Sequence, residues 1–196
     1  MTCLALVLLV GGCQKMAPPA LPAAVSGRPA LEEQIAAVRS GGSTKIKIEG
    51  AIITDDDLQL LADLAPLESL VLQVPTEISD AGLAHLAGLM NLKTLNLKNS
   101  TVTDEGLAAL AGLPRLELLR LGSSQVRGPG LRHIAELAEL RHLILQKAPL
   151  ADAGLAHLHG LGKLESLYVE ETETTPEGLR ALQKALPNLS HVHPHY

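Results

Sequence analysis

The sequence is poor in the residue types that supply large apolar contacts and covalent cross-links. Its 196 residues include no Trp, no Phe, two Tyr and two Cys. A core without these aromatic side chains must be built from Leu, Ile, Val and Ala. The chain also lacks an excess of basic residues, since 16 Lys and Arg stand against 21 Asp and Glu. We therefore do not expect it to bind nucleic acid, which requires a basic surface.

Both Cys residues lie in the N-terminal segment MTCLALVLLVGGC. Its apolar run is shorter than the ~20 residues that span a bilayer, but it has the length of the apolar region of a signal peptide. The residues Val10-Gly11-Gly12-Cys13 resemble the bacterial lipobox. The resemblance implies a signal peptide over residues 1–12, cleavage before Cys13 and lipidation of that Cys. No Lys or Arg precedes the run, and the alternative is a buried N-terminal strand or helix.

Lipid at Cys13 would anchor the protein to a membrane of the bacterial cell envelope, either facing the periplasm or at the outer membrane. Residues 13–30 are rich in Pro and Ala, which predicts an extended tether between the lipid and a folded domain. The next segment, LEEQIAAVR (31–39), has apolar residues on one face of a helix and is followed by two Gly. We predict that residues 31–43 form an N-terminal helix that caps the following array.

From residue 44 the chain repeats a unit of 24 or 25 residues. Each unit contains two apolar residues at strand spacing. The pairs are Ile46/Ile48, Leu70/Leu72, Leu95/Leu97, Leu119/Leu121, Leu143/Leu145 and Leu167/Val169, with Val192/Pro194 as a degraded seventh pair. Each pair is followed by Leu residues at helical spacing, as in TDEGLAALAGL (103–113). Four of these six segments begin with Thr or Ser followed by Asp or Pro, which predicts a capped helix start, whereas Arg127 and Ala151 predict two weaker starts.

The pattern LxxLxLxx followed by a small polar residue resembles the leucine-rich repeat, and the 24-residue unit is similar to ribonuclease-inhibitor-like and GALA-type bacterial repeats. The resemblance covers residues 44–196, as six repeats and a degraded C-terminal unit. It implies an α/β fold: a right-handed solenoid in a horseshoe arc, with a parallel sheet on the concave face and short helices on the convex face. The family often has an Asn, three residues after the second strand Leu, that bonds backbone across repeats. Here those positions hold Ala51, Pro75, Ser100, Ser124, Ala148 and Thr172. We expect such bonds only from the Ser and Thr residues.

Side chains that alternate with the inward Leu residues should form the concave face. Its central column and one neighbour mix aliphatic, aromatic, amide and cationic groups: Lys47, Val71, Asn96, Leu118, Arg120, Ile144 and Tyr168. This mixture is typical of a protein-binding surface, and the alternative is a plain solvated surface. We predict a module that binds an unidentified protein or envelope polymer through this face, without a cofactor.

Sequence motifs of catalysis are lacking, since no Gly-rich phosphate loop, nucleophile elbow or His-Glu-x-x-His occurs. The acidic run Asp55-Asp56-Asp57 could resemble a metal-ligand cluster. It follows Thr54 at a predicted helix start, however, where carboxylates interact favourably with the helix dipole. We therefore interpret it as a helix start and predict that the protein is not an enzyme.

The C-terminal sequence HVHPHY offers a second kind of site. In an extended segment, His191, His193 and His195 would share one face, and three imidazoles can bind Zn, Cu or Ni. No carboxylate or Cys nearby completes the ligand set, and Pro194 weakens strand pairing. Metal handling by these three residues is the alternative to the binding module.

Overall fold

The computed structural model describes residues 26–73, 76–122 and 124–193. Their main sheet has seven parallel strands: β1 (Lys45–Glu49), β3 (Ser69–Gln73), β5 (Thr94–Leu97), β6 (Leu118–Arg120), β7 (His142–Ile144), β8 (Ser166–Tyr168) and β9 (His191–His193). Two further strands, β2 (Ile53–Thr54) and β4 (Thr76–Glu77), form a small parallel pair. We number the units by the strands of the main sheet, so that units 1 to 6 contain β1, β3, β5, β6, β7 and β8.

Neighbouring strands pair at equivalent positions of the repeat. Leu70 of β3 pairs with Leu95 of β5, and Leu119 of β6 pairs with Leu143 of β7. The degraded last unit keeps this register, because Val192 pairs with Leu167. The predicted alignment of units is therefore confirmed, while Pro194 lies outside the described residues.

Short helices connect the strands on the other side of the core. They are α2 (Asp55–Leu58), α3 (Asp80–Ala84), α4 (Asp152–Leu155) and α5 (Pro176–Ala185), with 3-10 helices η1 (Gln59–Leu61), η2 (Gly106–Leu110), η3 (Pro129–His133) and η4 (Ala156–Gly160). Most are too short to be stable alone, so packing of their Leu side chains must hold them. No helix within the described ranges is long and apolar enough to cross a bilayer. The predicted signal peptide, Cys13 and most of the predicted tether lie outside those ranges.

The core is a continuous column of aliphatic side chains, as the composition predicted. In unit 3, Leu92, Leu95 and Leu97 are all 0% exposed, and the equivalent Leu140, Leu143 and Leu145 of unit 5 are also 0% exposed. Each fully buried Leu contributes about 1.5–3 kcal/mol. One unit cannot cover both faces of its own Leu residues, so stacking is required for stability.

Hydrogen bonds between units do not come from the positions that the resemblance indicated. The Ser100 and Ser124 hydroxyls are buried without a hydrogen-bond partner. The Thr172 hydroxyl donates to the carbonyl of Val169 within its own unit, at 2.7 Å. The expectation that the Ser and Thr residues at these positions bond across repeats is therefore wrong, since two of the hydroxyls are unpaired and the third bonds within its own unit.

In units 1, 2, 3 and 5, the Asp that follows the helix-cap position joins the units instead. The Asp80 carboxylate accepts from the Thr103 backbone N–H at 2.8 Å and from the Thr103 hydroxyl at 2.7 Å. Asp55 bonds Ser79, and Asp152 bonds Thr175, in the same way. A carboxylate that accepts from a backbone N–H makes a strong, charge-assisted bond. We call these contacts the Asp junctions.

The Gly of the motif S/T-D-x-G-L makes room for the Asp junction. A Cβ on Gly82 would lie 2.1 Å from the Asp55 Oδ1 atom, and a Cβ on Gly106 would lie 2.1 Å from the Asp80 Oδ1 atom. Any larger side chain would displace the carboxylate of the preceding unit. The Asp therefore joins two units, in addition to the helix-start role that the sequence indicated. In unit 1, Asp57 bonds the start of the helix, since it accepts from the Thr54 N–H at 3.0 Å.

Unit 4 departs from the motif. Gly128 stands where other units have the junction Asp, with φ of 129°, so no side chain reaches from there to unit 5. As predicted, the residues at the start of η3 and α4 provide no side-chain cap of their own. The start of η3 is bonded from unit 3 instead, where the Asp104 carboxylate accepts from the Gly130 N–H at 2.7 Å. The array is thus less firmly joined between units 4 and 5 than between units 1 and 2.

The N-terminal helix α1 (Arg28–Arg39) packs its buried Leu31, Ile35 and Val38 on the first unit. It begins three residues before the predicted start, because Pro29 is favourable in the first turn of a helix. Its Gln34 side chain forms two hydrogen bonds with Lys47: the amide donates to the carbonyl at 2.9 Å and accepts from the N–H at 2.7 Å. Gln34 thereby occupies the place of a neighbouring strand.

Candidate binding surface

We call the outward-facing side chains of the main sheet the sheet surface; it is the predicted concave face. The pairing of strands places the predicted central column in one row across six units, in the order Lys47, Val71, Asn96, Arg120, Ile144 and Tyr168. Leu118 lies beside this row, between Thr94 and His142. The structure therefore brings all seven predicted residues onto one surface, and their role in binding stays a prediction.

The first half of the row (Lys47, Val71 and Asn96) is mainly polar, and its cation, Lys47, has a carboxylate partner. The Lys47 ammonium lies 2.7 Å from the Glu49 carboxylate, and both side chains are more than half exposed. Val71 is half-buried. Asn96 is only 7% exposed, and its Oδ1 atom has no hydrogen-bond partner. This half has few apolar groups that a partner could cover.

The second half contains a shallow hollow of about 410 Å³. Its apolar groups are Leu118, Ile144 and Tyr168, all half-buried. The other lining residues are Arg120, His142 and Gln146. We call this site the apolar hollow. Half-buried aliphatic and aromatic side chains beside an Arg are typical of the energetic centre of a protein interface.

The last strand extends the row beyond the six predicted positions. His193 of β9 pairs with Tyr168, and the two rings stack with centroids 4.3 Å apart and an interplanar angle of 6°. The stack fixes the orientation of the tyrosine ring at the edge of the apolar hollow. Alternation predicted that His191 and His193 share one face, close to the last column of the sheet, but the stack of His193 on Tyr168 was not predicted.

A chain of polar side chains borders the apolar hollow. The Arg120 Nη2 atom donates to the Gln146 side-chain oxygen at 3.0 Å, and the Gln146 amide donates to the Glu170 carboxylate. A second hollow of about 170 Å³ lies beyond these hydrogen-bonded side chains, with Lys98, Arg120 and Lys147 among its lining residues. Arg120 and Gln146 line both hollows. Gln146 and Glu170 were absent from the predicted site, although their positions alternate with inward residues in the same register.

Charges along the rim of the sheet are paired between adjacent units. The Lys93 ammonium lies 3.1 Å from Glu68, and the Lys163 ammonium lies 2.7 Å from Glu139. Arg141 pairs with Glu165 in the same manner. The hydrogen bond and charge of Lys163 lower the pKa of the Glu139 carboxyl. Because these rim charges already hold one another, they offer a partner little electrostatic attraction.

The predicted metal ligands do not form a complete set in the described part of the chain. The His191 Nδ1 atom lies 2.8 Å from the Ser190 hydroxyl, and His193 stacks on Tyr168. No group of three His, Cys, Asp or Glu side chains among the described residues could hold a metal ion. His195 lies outside those residues.

The parallel sheet, the short helices behind it and the Leu column define an α/β leucine-rich repeat solenoid.

Comparisons with known proteins agree with this class. The family model described as Leucine Rich repeat matches residues 88–111. The crystal structure of internalin C2 from Listeria monocytogenes str. 4b F2365 is similar in fold, with a TM-score of 0.62 and 20% sequence identity, over 89% of this chain and 91% of that one. At this identity the likeness shows the fold alone. No curated protein sequence matches the chain.

Proposed function

We propose that the protein is a binding module that holds a protein partner against its sheet surface. The observation that carries this proposal is the apolar hollow, where Leu118, Ile144 and Tyr168 remain half-exposed beside Arg120. The buried Leu residues hardly vary between units, whereas the row above them changes at every unit. Exposed apolar groups of this kind favour an interaction site over a solvated surface.

We further propose that lipid at Cys13 anchors the module in the bacterial cell envelope. The support is the lipobox-like Val10-Gly11-Gly12-Cys13 and the Pro-rich segment that follows it. In a bacterial host, the Cys13→Ala variant should leave the membrane fraction, and the mass of lipid on the N-terminal peptide should be lost. Equal membrane association of both forms would contradict the anchor.

Site-specific crosslinking in cells tests the binding role. A photoreactive amino acid is placed at Ile144 in the apolar hollow, and at Ala108, which is exposed on the helix side, as the matched control. We expect discrete protein adducts from position 144 and not from position 108. Adding Arg120→Ala and Tyr168→Ala should reduce these adducts without changing thermal unfolding of the purified chain. Adducts of equal yield from both positions, or from neither, would contradict the proposal; adducts to an envelope polymer would replace the protein partner with that polymer.

A further inference from the structure

We infer that the partner is recognised through a peptide segment that carries a carboxylate next to a large apolar side chain. The apolar side chain enters the apolar hollow, and the carboxylate binds Arg120. This inference rests on the proposed function and specifies the chemistry of the ligand at the same site.

The apolar half of the inference follows from the shape and lining of the hollow. A volume of about 410 Å³ lies within the usual range for small binding pockets. Leu118, Ile144 and Tyr168 line it, and each is half-buried. The stack on His193 holds the tyrosine ring in place, so less conformational entropy is lost when a ligand packs against it. A large aliphatic or aromatic side chain fits this surface.

The carboxylate half follows from the contacts of Arg120. A guanidinium has five N–H donors, and in the described structure Arg120 uses only Nη2, on the neutral Gln146 side chain. Its Nε atom is buried without a hydrogen-bond partner. No carboxylate among the described residues forms an ion pair with it. Because the buried Nε atom is covered by protein, a ligand carboxylate would bind Arg120 end-on, through the outer Nη1 and Nη2 donors that Gln146 leaves free, in a bidentate geometry that arginine favours.

Charge complementarity selects an acidic ligand over a basic one. Two cations next to residues of the apolar hollow already have carboxylate partners: Arg141 pairs with Glu165, and the Lys147 ammonium lies 3.5 Å from Glu171. Glu170, the nearest carboxylate along the polar chain, is held by Gln146 rather than by Arg120. Arg120 lines the apolar hollow and donates to a neutral amide, so its charge is available to an acidic ligand.

The spacing of the two features sets the spacing in the ligand. Arg120 and Ile144 are paired residues on adjacent strands, which lie about 4.8 Å apart in a sheet. Consecutive Cα atoms of a peptide are about 3.8 Å apart. A carboxylate and an apolar side chain on neighbouring or alternate residues can reach Arg120 and the hollow together.

Selection from a random dodecapeptide library displayed on phage tests this inference with the full chain as bait. We expect the selected peptides to contain Asp or Glu within two residues of a large apolar residue. The acidic preference should disappear on the Arg120→Gln variant and persist on Arg132→Gln, the matched control on an arginine that is exposed on the helix side, in η3. Absence of enriched peptides, a basic consensus, or an acidic preference that survives Arg120→Gln would overturn the inference.

A peptide from that selection gives the quantitative test. Fluorescence anisotropy compares it with a version in which each Asp or Glu is replaced by Asn or Gln. We expect the amide version to bind the wild type at least about tenfold more weakly, as for loss of a charge-assisted bond, and to match the acidic version on Arg120→Gln. Equal affinities of the acidic and amide peptides for the wild type would overturn the inference that a ligand carboxylate binds Arg120.

A measurement of self-association tests whether a second copy of the chain, rather than a peptide of another protein, occupies the apolar hollow. Micromolar dimerisation that Arg120→Gln abolishes would assign the hollow to a second copy and overturn the inference. If crosslinking at position 144 succeeds while the peptide tests fail, the acidic and apolar peptide ligand is rejected and the proposed binding role is retained.

Discussion

Units 1 to 3 and units 4 to 6 bury their Leu residues equally, yet they differ on both outer surfaces. On the sheet surface, the first half has the Lys47–Glu49 ion pair and the buried Asn96, whereas the second half has the apolar hollow. On the helix side, each of the first three units reaches the next through its Asp, whereas unit 4 has Gly128 instead. The Leu residues therefore determine the scaffold, and the residues between them determine how each half differs.

The largest expected effect tests whether the two halves share one core. Leu95→Ala in unit 3 and Leu143→Ala in unit 5 both remove a side chain that is 0% exposed. Each should lower the free energy of unfolding by about 2–5 kcal/mol, measured by urea denaturation. A loss confined to one of the two variants would show that the halves are not equally packed.

A smaller effect is expected at the Asp junctions. Asp80→Ala removes the acceptor of two bonds from Thr103 and leaves a partly buried N–H unpaired. We expect a loss of about 1–3 kcal/mol in the free energy of unfolding. The control is Asp56→Ala, an exposed helix-start acid that should cost about 0.5 kcal/mol or less. Equal losses from both variants would mean that the junction contributes no more than the helix dipole.

The smallest effect is expected at the rim. Lys163→Met removes the partner of Glu139, and an exposed ion pair contributes little to the free energy of unfolding. Lys163 lowers the pKa of Glu139 in the folded state, so its stabilisation is present above the usual carboxyl pKa and is lost as pH falls through the lowered value. Wild type and variant should thus differ slightly in urea midpoint at pH 7 and converge in acid. A difference that persists in acid would point to lost packing of the lysine stem.

The sequence predicted what depends on period and missed what depends on contacts between distant residues. A spacing of 24 or 25 residues determines which Leu pairs with which, and it predicted that Lys47 and Tyr168 share a row. The same spacing says nothing about where a side chain reaches. Asp80 was therefore interpreted only as a helix-start acid, although it also bonds Thr103 of the next unit. Ser100 was expected to bond across units, and its hydroxyl has no partner.

The candidate site was predicted in part for the same reason. Alternation along the strands placed Arg120 and Ile144 side by side, but it could not show that Gln146 would link Arg120 to Glu170. Nor could it show that His193 would stack on Tyr168. These contacts depend on the rotamers chosen in the packed array. A periodic sequence predicts the position of each residue in the array. The hydrogen bonds and ring contacts of its side chain depend on neighbours that are close in space but about 24 residues away in sequence.

The contact between Gln34 and Lys47 bears on how the array avoids unwanted growth. An exposed edge strand offers its free N–H and C=O groups to any extended chain, and so promotes sheet extension and aggregation. At β1 a single amide side chain engages both groups of Lys47, at 2.9 and 2.7 Å. Gln34 thus occupies the hydrogen-bonding groups at the centre of the first edge strand, so that another extended chain cannot pair with them.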